Sequence, residues 1–127
     1  MHKIVAIIPA AGCGTRMGDV LPKQYLEING LPMIFHTLAA FVRVQRVTKI
    51  VVVISADDVH WDALFQTHCM GMPKEILVYR VGGKTRGESV LNGLYSVAND
   101  FATSDWALVH DAARPCIRAE LIRAISR

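Results

Sequence analysis

The stretch Ile4-Val5-Ala6-Ile7-Ile8 runs straight into Pro9-Ala10-Ala11-Gly12-Cys13-Gly14-Thr15-Arg16-Met17-Gly18, with Pro22-Lys23-Gln24 close behind. The apolar run reads as a strand buried on both faces. The segment from Pro9 to Gly18 reads as a loop of small residues that carries an arginine, with a lysine soon after it. Gly and Ala put no side chain between backbone N–H groups and a polyphosphate. Arg16 and Lys23 then neutralise charge that backbone dipoles leave uncompensated. Taken alone, the same residues also suit a plain turn flanked by solvated surface charges. Spacing excludes two familiar loops. A dinucleotide fingerprint needs G-x-G-x-x-G, and here Gly12, Gly14 and Gly18 leave one residue too many before the third glycine. A P-loop needs G-K-[ST] at its end, and Gly18 is followed by Asp19-Val20.

Working outward, further apolar runs predict strands at Ile50–Ile54, Ile76–Val81 and Trp106–Val109. Helical periodicity fills the intervals. Pro32 to about Val42 carries Ile34, Leu38 and Phe41 on one face, with Pro32 suited to the first helical position. Asp57 to about His68 carries Val59, Ala63 and Leu64, and ends near Gly71 and Pro73. Arg86 to about Ala98 carries Val90, Leu91, Leu94 and Val97, and Arg118 to Arg127 carries Leu121, Ile122 and Ile125. Strand and helix therefore alternate along the whole chain. This predicts an α/β fold of three layers, a mostly parallel sheet with helices on both faces and right-handed crossovers.

In an open parallel sheet, ligands bind at the carboxyl ends of the strands. Each unusual segment of this chain falls there: Pro9 to Gly18, Ser55-Ala56-Asp57-Asp58, Gly82-Gly83-Lys84-Thr85-Arg86, and His110-Asp111-Ala112-Ala113-Arg114-Pro115. Asp111 suits a hard cation such as Mg2+, which commonly uses one or two carboxylates beside phosphate oxygens. It equally suits a helix cap or a partner for Arg114, which would orient it. Gly82 and Gly83 permit positive φ and leave backbone groups open to a flat base, or make an ordinary turn. Ser89 can reach back as a hydrogen-bond donor or serve as a routine helix residue. His110 is expected to be structural.

The chain has 127 residues, is 52% hydrophobic and 20% charged, and carries a formal charge of +3, so it reads as a single globular domain. It has no basic run, and its two Trp, three Tyr and four Phe are scattered, which gives no support to nucleic-acid binding. No apolar stretch reaches membrane-spanning length. Met1-His2-Lys3 leads at once into the first strand, leaving no room for a signal peptide. Cys13, Cys69 and Cys116 are odd in number and widely spaced, which fits a reducing cytoplasm rather than a disulfide framework. Neither the cysteines nor the histidines show zinc-site spacing. The last helical pattern stops without a C-cap glycine, as in a fragment of a longer protein.

Four segments, in order and spacing, carry a family resemblance: Pro9-Ala10-Ala11-Gly12-x-Gly14-x-Arg16-Met17-Gly18, then Pro22-Lys23-Gln24-Tyr25, then Gly82-Gly83-x-x-Arg86-x-x-Ser89-Val90, then Val109-His110-Asp111-Ala112-Ala113-Arg114-Pro115. Together they resemble the 2-C-methyl-D-erythritol 4-phosphate cytidylyltransferases of the non-mevalonate isoprenoid route, over about the first half of a typical member. The glycine loop is shared with many sugar nucleotidyltransferases; Pro-Lys-Gln-Tyr combined with His-Asp-Ala-Ala-Arg-Pro is far more specific.

The resemblance implies a Rossmann-like nucleotidyltransferase fold, truncated here, with residues 1–127 as the nucleotide-binding portion of one domain. It implies that Pro9, Ala10, Ala11, Gly12 and Gly14 hold CTP, with the base read near Ala10, Gly82, Gly83 and Ser89. Arg16 and Lys23 would be catalytic, binding the triphosphate and stabilising the pentavalent α-phosphorus. Asp111 would help hold Mg2+ and lie with Ala112 near the ribose, while Arg86 and Arg114 would orient the site. The partners implied are CTP and a sugar-alcohol phosphate, with homodimer formation through an arm in the later half of the family's length. Lys84 stands where some members carry an acidic residue, which leaves a side-chain contact from that position open. The rival readings are a cytidylyltransferase for ribitol 5-phosphate, a non-catalytic nucleotide-binding module and a Rossmann-type dehydrogenase; the glycine spacing opposes the last.

Overall fold

The computed structural model describes residues 4–11, 22–45, 47–68, 75–97 and 106–110. Strands β1 (Ile4–Pro9), β4 (Val47–Val53), β5 (Glu75–Tyr79) and β6 (Trp106–Val109) form one sheet in the order β5-β4-β1-β6. Every neighbouring pair in it is parallel. Three α-helices follow the pattern of the sequence: α1 (Met33–Val42), α2 (Trp61–His68) and α3 (Arg86–Val97). The fourth expected helix, 118–127, lies outside the described residues. Among the described residues no helix is long and apolar enough to cross a membrane.

Alternation along the central strands builds the two cores. Ala6 and Ile8 of β1, with Ile50 and Val52 of β4, face Ile34, Phe35, Leu38 and Phe41 of α1 and Trp61 of α2. Val5 and Ile7, with Val51 and Val53, face Val90, Leu94 and Val97 of α3. Burial on both faces explains why β1 and β4 read as near-continuous Val/Ile runs. α3 lies close on its face: a β-carbon on Gly93 would stand 2.7 Å from Val53 Cγ2.

Two expected helix faces are corrected. Val59 is 82% exposed and precedes α2, because the Asp58 carboxylate accepts the N–H groups of His60 and Trp61 and sets the helix start at Trp61. Leu91 is 48% exposed, since Val90, Leu94 and Val97 define the buried stripe and Leu91 shares the opposite face with Tyr95. α1 matches its expected face, with Ile34, Leu38 and Phe41 fully buried.

The strand bounds move for local reasons. β4 begins at Val47, not Ile50; exposed Thr48 and half-buried Lys49 hide its first turn of pairing from a hydropathy reading. β5 ends at Tyr79, and the chain then turns so that Gly82 N–H donates to Ile54 O at 3.0 Å. A small ribbon adds to the expected elements: β2 (Glu27–Ile28) pairs antiparallel with β3 (Leu31–Pro32) around Asn29 (φ 54°) and Gly30 (φ 79°). Both turn residues have positive φ, as a two-residue Asn-Gly hairpin requires. Pro32 closes this ribbon, so α1 starts one residue after it.

The chain order sets the site. From β1 it steps outward through β4 to β5, then returns across the opposite face through α3 to β6 on the other side of β1. The reversal places a switch point between β1 and β6, where crevices form at the strand carboxyl ends.

Candidate active site

Three segments meet at this edge. The first leaves β1: Pro9 is its last residue, Ala10 N–H donates to Val53 O at 2.7 Å, and the Ser55 hydroxyl donates to Ala11 O. Ala10 and Ala11 are buried, at 3% and 8% exposure. The second is the loop after β5. A β-carbon on Gly82 would lie 2.1 Å from Ala11 Cβ and 3.0 Å from Ile54 O, so the two loops touch only because residue 82 has no side chain. Gly83 is equally confined, with Glu88 Cβ 2.4 Å from such an atom. Among the described glycines only Gly30 has positive φ, so close approach and not backbone conformation demands glycine at 82 and 83. This replaces the conformational reason expected from the sequence.

Helix α3 holds that second loop by its first two turns. Ser89, 2% exposed, accepts the Gly83 N–H at Oγ, 3.0 Å. Its role toward the loop is therefore acceptor, not the expected donor, and the hydroxyl proton is left for another partner. Glu88 Oε1 accepts Lys84 N–H at 3.0 Å while Glu88 N–H donates to Thr85 Oγ1 at 3.1 Å, close to a capping box. Asn92 Nδ2 donates to Val81 O at 2.8 Å. Lys84 is exposed and Arg86 opens α3, also exposed.

The third segment carries Lys23. Lys23–Tyr25 form a single 3₁₀ turn in which Lys23 is exposed while Gln24 and Tyr25 are buried. Gln24 Nε2 donates to Ala10 O at 2.8 Å and so ties this turn to the loop after β1. Tyr25 Oη donates to Asp58 Oδ2 at 2.5 Å. Burial, and then the bond to Asp58, push the Tyr25 phenol well above its ordinary range.

Of the expected site residues, the structure gathers Pro9, Ala10, Ala11, Gly82, Gly83, Ser89 and Lys23 at one edge. Gly12, Gly14, Arg16, Asp111, Ala112 and Arg114 lie outside the described residues. His110 stands at the same edge: its N–H donates to Ile7 O at 3.1 Å and its ring meets Phe41 edge-on at 5.5 Å, a packing role. Among the described residues no group of three or more His, Cys, Asp or Glu comes together for a metal. Sequence reasoning assigns no role to Asp58, Glu88 or Asn92. Thr85-x-x-Glu88 carries a readable capping signal; Asp58 and Asn92 owe their roles to tertiary contacts that no local pattern announces.

Known proteins resemble this chain in sequence and in fold. The model of the IspD family, 2-C-methyl-D-erythritol 4-phosphate cytidylyltransferase, matches residues 4–126. A 2-C-methyl-D-erythritol 4-phosphate cytidylyltransferase of Thiobacillus denitrificans is 44% identical over 120 residues, 94% of this chain and 50% of the relative. That of Dechloromonas aromatica is 46% identical over 125 residues, 98% of this chain and 54% of the relative. The solved structure of a 4-diphosphocytidyl-2C-methyl-D-erythritol synthase superposes with a TM-score of 0.78 at 34% identity, covering 97% of this chain and 51% of the other. The chain thus spans about half the length of the curated relatives it matches. With the family model matching nearly end to end, this chain belongs to the 2-C-methyl-D-erythritol 4-phosphate cytidylyltransferase family.

Proposed function

We propose that residues 1–127 are the nucleotide-binding portion of a single cytidylyltransferase domain. The protein transfers the cytidylyl group of CTP to 2-C-methyl-D-erythritol 4-phosphate, giving 4-diphosphocytidyl-2-C-methyl-D-erythritol and pyrophosphate. It acts in the cytoplasm, as a homodimer at full length. One juxtaposition carries the reading: Gly82 packed on Ala11, with Gln24 bonded to Ala10 O, brings the base-side loop, the loop after β1 and the Lys23 turn to one edge.

The chemistry follows from charge. A phosphate oxygen of the acceptor attacks the α-phosphorus of CTP in line. The bond from that phosphorus to the bridging oxygen breaks, and its electron pair leaves with pyrophosphate. A phosphomonoester, with its second pKa near 6, is already largely dianionic at neutral pH, so no general base is required. Positioning and charge neutralisation supply the catalysis. Backbone groups of Ala10–Ala11, Gly82 and Gly83, with Ser89, seat the nucleotide, and Arg16 and Lys23 bind its phosphates. Asp111 would hold Mg2+, with Ala112 beside the ribose and Arg86 and Arg114 orienting the site. A lone carboxylate beside triphosphate oxygens is a donor set that suits this ion, and His110 ties the segment leading to it against β1. When bound, the ion withdraws charge from the phosphates.

Calorimetric titration with CTP, UTP and ATP in Mg2+ tests the nucleotide half; a clear preference for CTP is expected, and equal affinity for all three defeats it. Pyrophosphate release from the full native polypeptide, with methylerythritol phosphate against ribitol 5-phosphate, tests the acceptor.

A further inference from the structure

Lys23 sits on a 3₁₀ turn of three residues, too short to hold a direction on its own. The turn is closed by Tyr25 N–H to Pro22 O at 2.9 Å and Leu26 N–H to Lys23 O at 3.2 Å. Its orientation in the molecule comes from a main-chain bond, Met33 N–H to Leu26 O at 2.8 Å, and from two side chains. Gln24 ties it to Ala10 O, and the Tyr25 hydroxyl ties it to Asp58. The Asp58 carboxylate is itself held: its other oxygen accepts His60 N–H at 2.8 Å and Trp61 N–H at 3.0 Å at the start of α2. Its main-chain oxygen accepts Arg80 Nη1 at 2.8 Å, and Arg80 Nη2 reaches Asp62 at 2.9 Å. Arg80 lies just before Gly82, so Asp58 stands between the segment that carries Lys23 and the segment that carries the base-side loop.

The ring of Tyr25 is 1% exposed and belongs to the core formed with Ile8, Ile34 and Trp61. Phenylalanine would fill that volume without burying a hydroxyl, which costs free energy unless bonded. The hydroxyl is spent on the bond to Asp58, which is charge-assisted and stronger than a neutral one. We infer that Tyr25 is a positioning residue for Lys23, acting through Asp58. This rests on the proposed role of Lys23 at the phosphates. Misplacing a reacting or charge-stabilising group by about 1 Å costs roughly a hundredfold in rate, whereas ground-state binding of the base depends on Gly82, Gly83 and Ala10.

A double-mutant cycle tests this in the full native polypeptide, reading kcat, KM for CTP and the thermal midpoint of Tyr25→Phe, Lys23→Ala and the pair. Lys23→Ala turnover is followed as pyrophosphate release at high enzyme concentration. Tyr25→Phe is expected to lower kcat about tenfold or more and to raise KM for CTP by a clearly smaller factor, since Lys23 is one of several groups that hold the nucleotide. In the Lys23→Ala background it is expected to change kcat by less than about twofold, because nothing remains to be positioned. An equal loss in both backgrounds, or wild-type kcat in Tyr25→Phe, overturns the inference while the role of Lys23 stands. Near-normal turnover in Lys23→Ala overturns both and is recognised from that single variant. Asp58→Asn keeps the side-chain shape and weakens the charge-assisted bond; it is expected to show the same split of kcat from KM should Tyr25→Phe not fold.

Discussion

Gly82 and Ala11 approach so closely that a β-carbon on residue 82 would stand 2.1 Å from Ala11 Cβ, with Ile54 O 3.0 Å away on another side. The first neighbour is a methyl on a buried loop and the second is backbone, so neither yields cheaply. Gly82→Ala should therefore push the two loops apart. Overpacking of this kind costs about 1–3 kcal/mol, read as a lower thermal midpoint, and CTP affinity should fall about tenfold or more, the equivalent of ~1.4 kcal/mol. Gly87→Ala is the matched control. Its β-carbon meets nothing nearer than Thr85 Oγ1 at 3.9 Å within α3, so it should be neutral or stabilise by up to ~1 kcal/mol.

Arg16→Ala and Lys23→Ala should each lower turnover by about a hundredfold or more, the range for removing a group aimed at transition-state charge. The fold should survive in Lys23→Ala, because the exposed Lys23 side chain contributes little to the core that Gln24 and Tyr25 enter. Pyrophosphate release alongside circular dichroism checks both points. Near-normal turnover in either folded variant would remove that residue from the mechanism.

Ser89→Ala takes the acceptor from the N–H of half-buried Gly83. Loss of such a bond costs about 1 kcal/mol, the low end of the range for an unsatisfied buried donor. The loss should appear both in the urea midpoint and in CTP affinity, because the same bond holds the base-side loop. Loss of stability with unchanged CTP affinity would separate Ser89 from the nucleotide.

How far the sequence carries these conclusions depends on whether the cause is local. β1 is legible because Ile4–Ile8 is buried on both faces, and the α3 stripe because Val90, Leu94 and Val97 recur at helical spacing. The start of β4 is hidden by polar Thr48 and Lys49, and the β2–β3 ribbon by strands of two residues each. Gly82 and Gly83 can be placed after the third apolar run of the sequence, yet only for a conformational reason, since the steric one needs Ala11 and Glu88 brought from elsewhere in the chain. Asp58 has no role in the sequence reading: in the fold it caps α2, and its bonds to Tyr25 and Arg80 join positions far apart in sequence.

Gly30 tests the ribbon that leads into α1. Its φ of 79° lies in the left-handed region, and a β-carbon there would meet nothing within 4 Å. The penalty of Gly30→Ala is therefore conformational alone, about 1–2 kcal/mol. Gly30→Asn should cost less, since Asn tolerates that region better. Equal thermal midpoints for the two variants and the native protein would refute the assigned turn.

Tyr25 also sets a pH dependence. Burial first, then the bond to the Asp58 carboxylate, raise its phenol above the ordinary value of 10.0. The folded state then keeps a proton that the unfolded chain releases, so bound protons are fewer in the unfolded state and stability falls as pH rises. The contribution is fully present below about pH 10 and is lost progressively above it, with a slope of at most about 1.4 kcal/mol per pH unit for one proton. The informative quantity is the difference between two proteins that differ only at this hydroxyl. Urea unfolding of the native protein and of Tyr25→Phe, between neutral pH and about pH 11, should converge as pH rises. Parallel stability curves across that range would mean that the Tyr25 proton is not retained on folding.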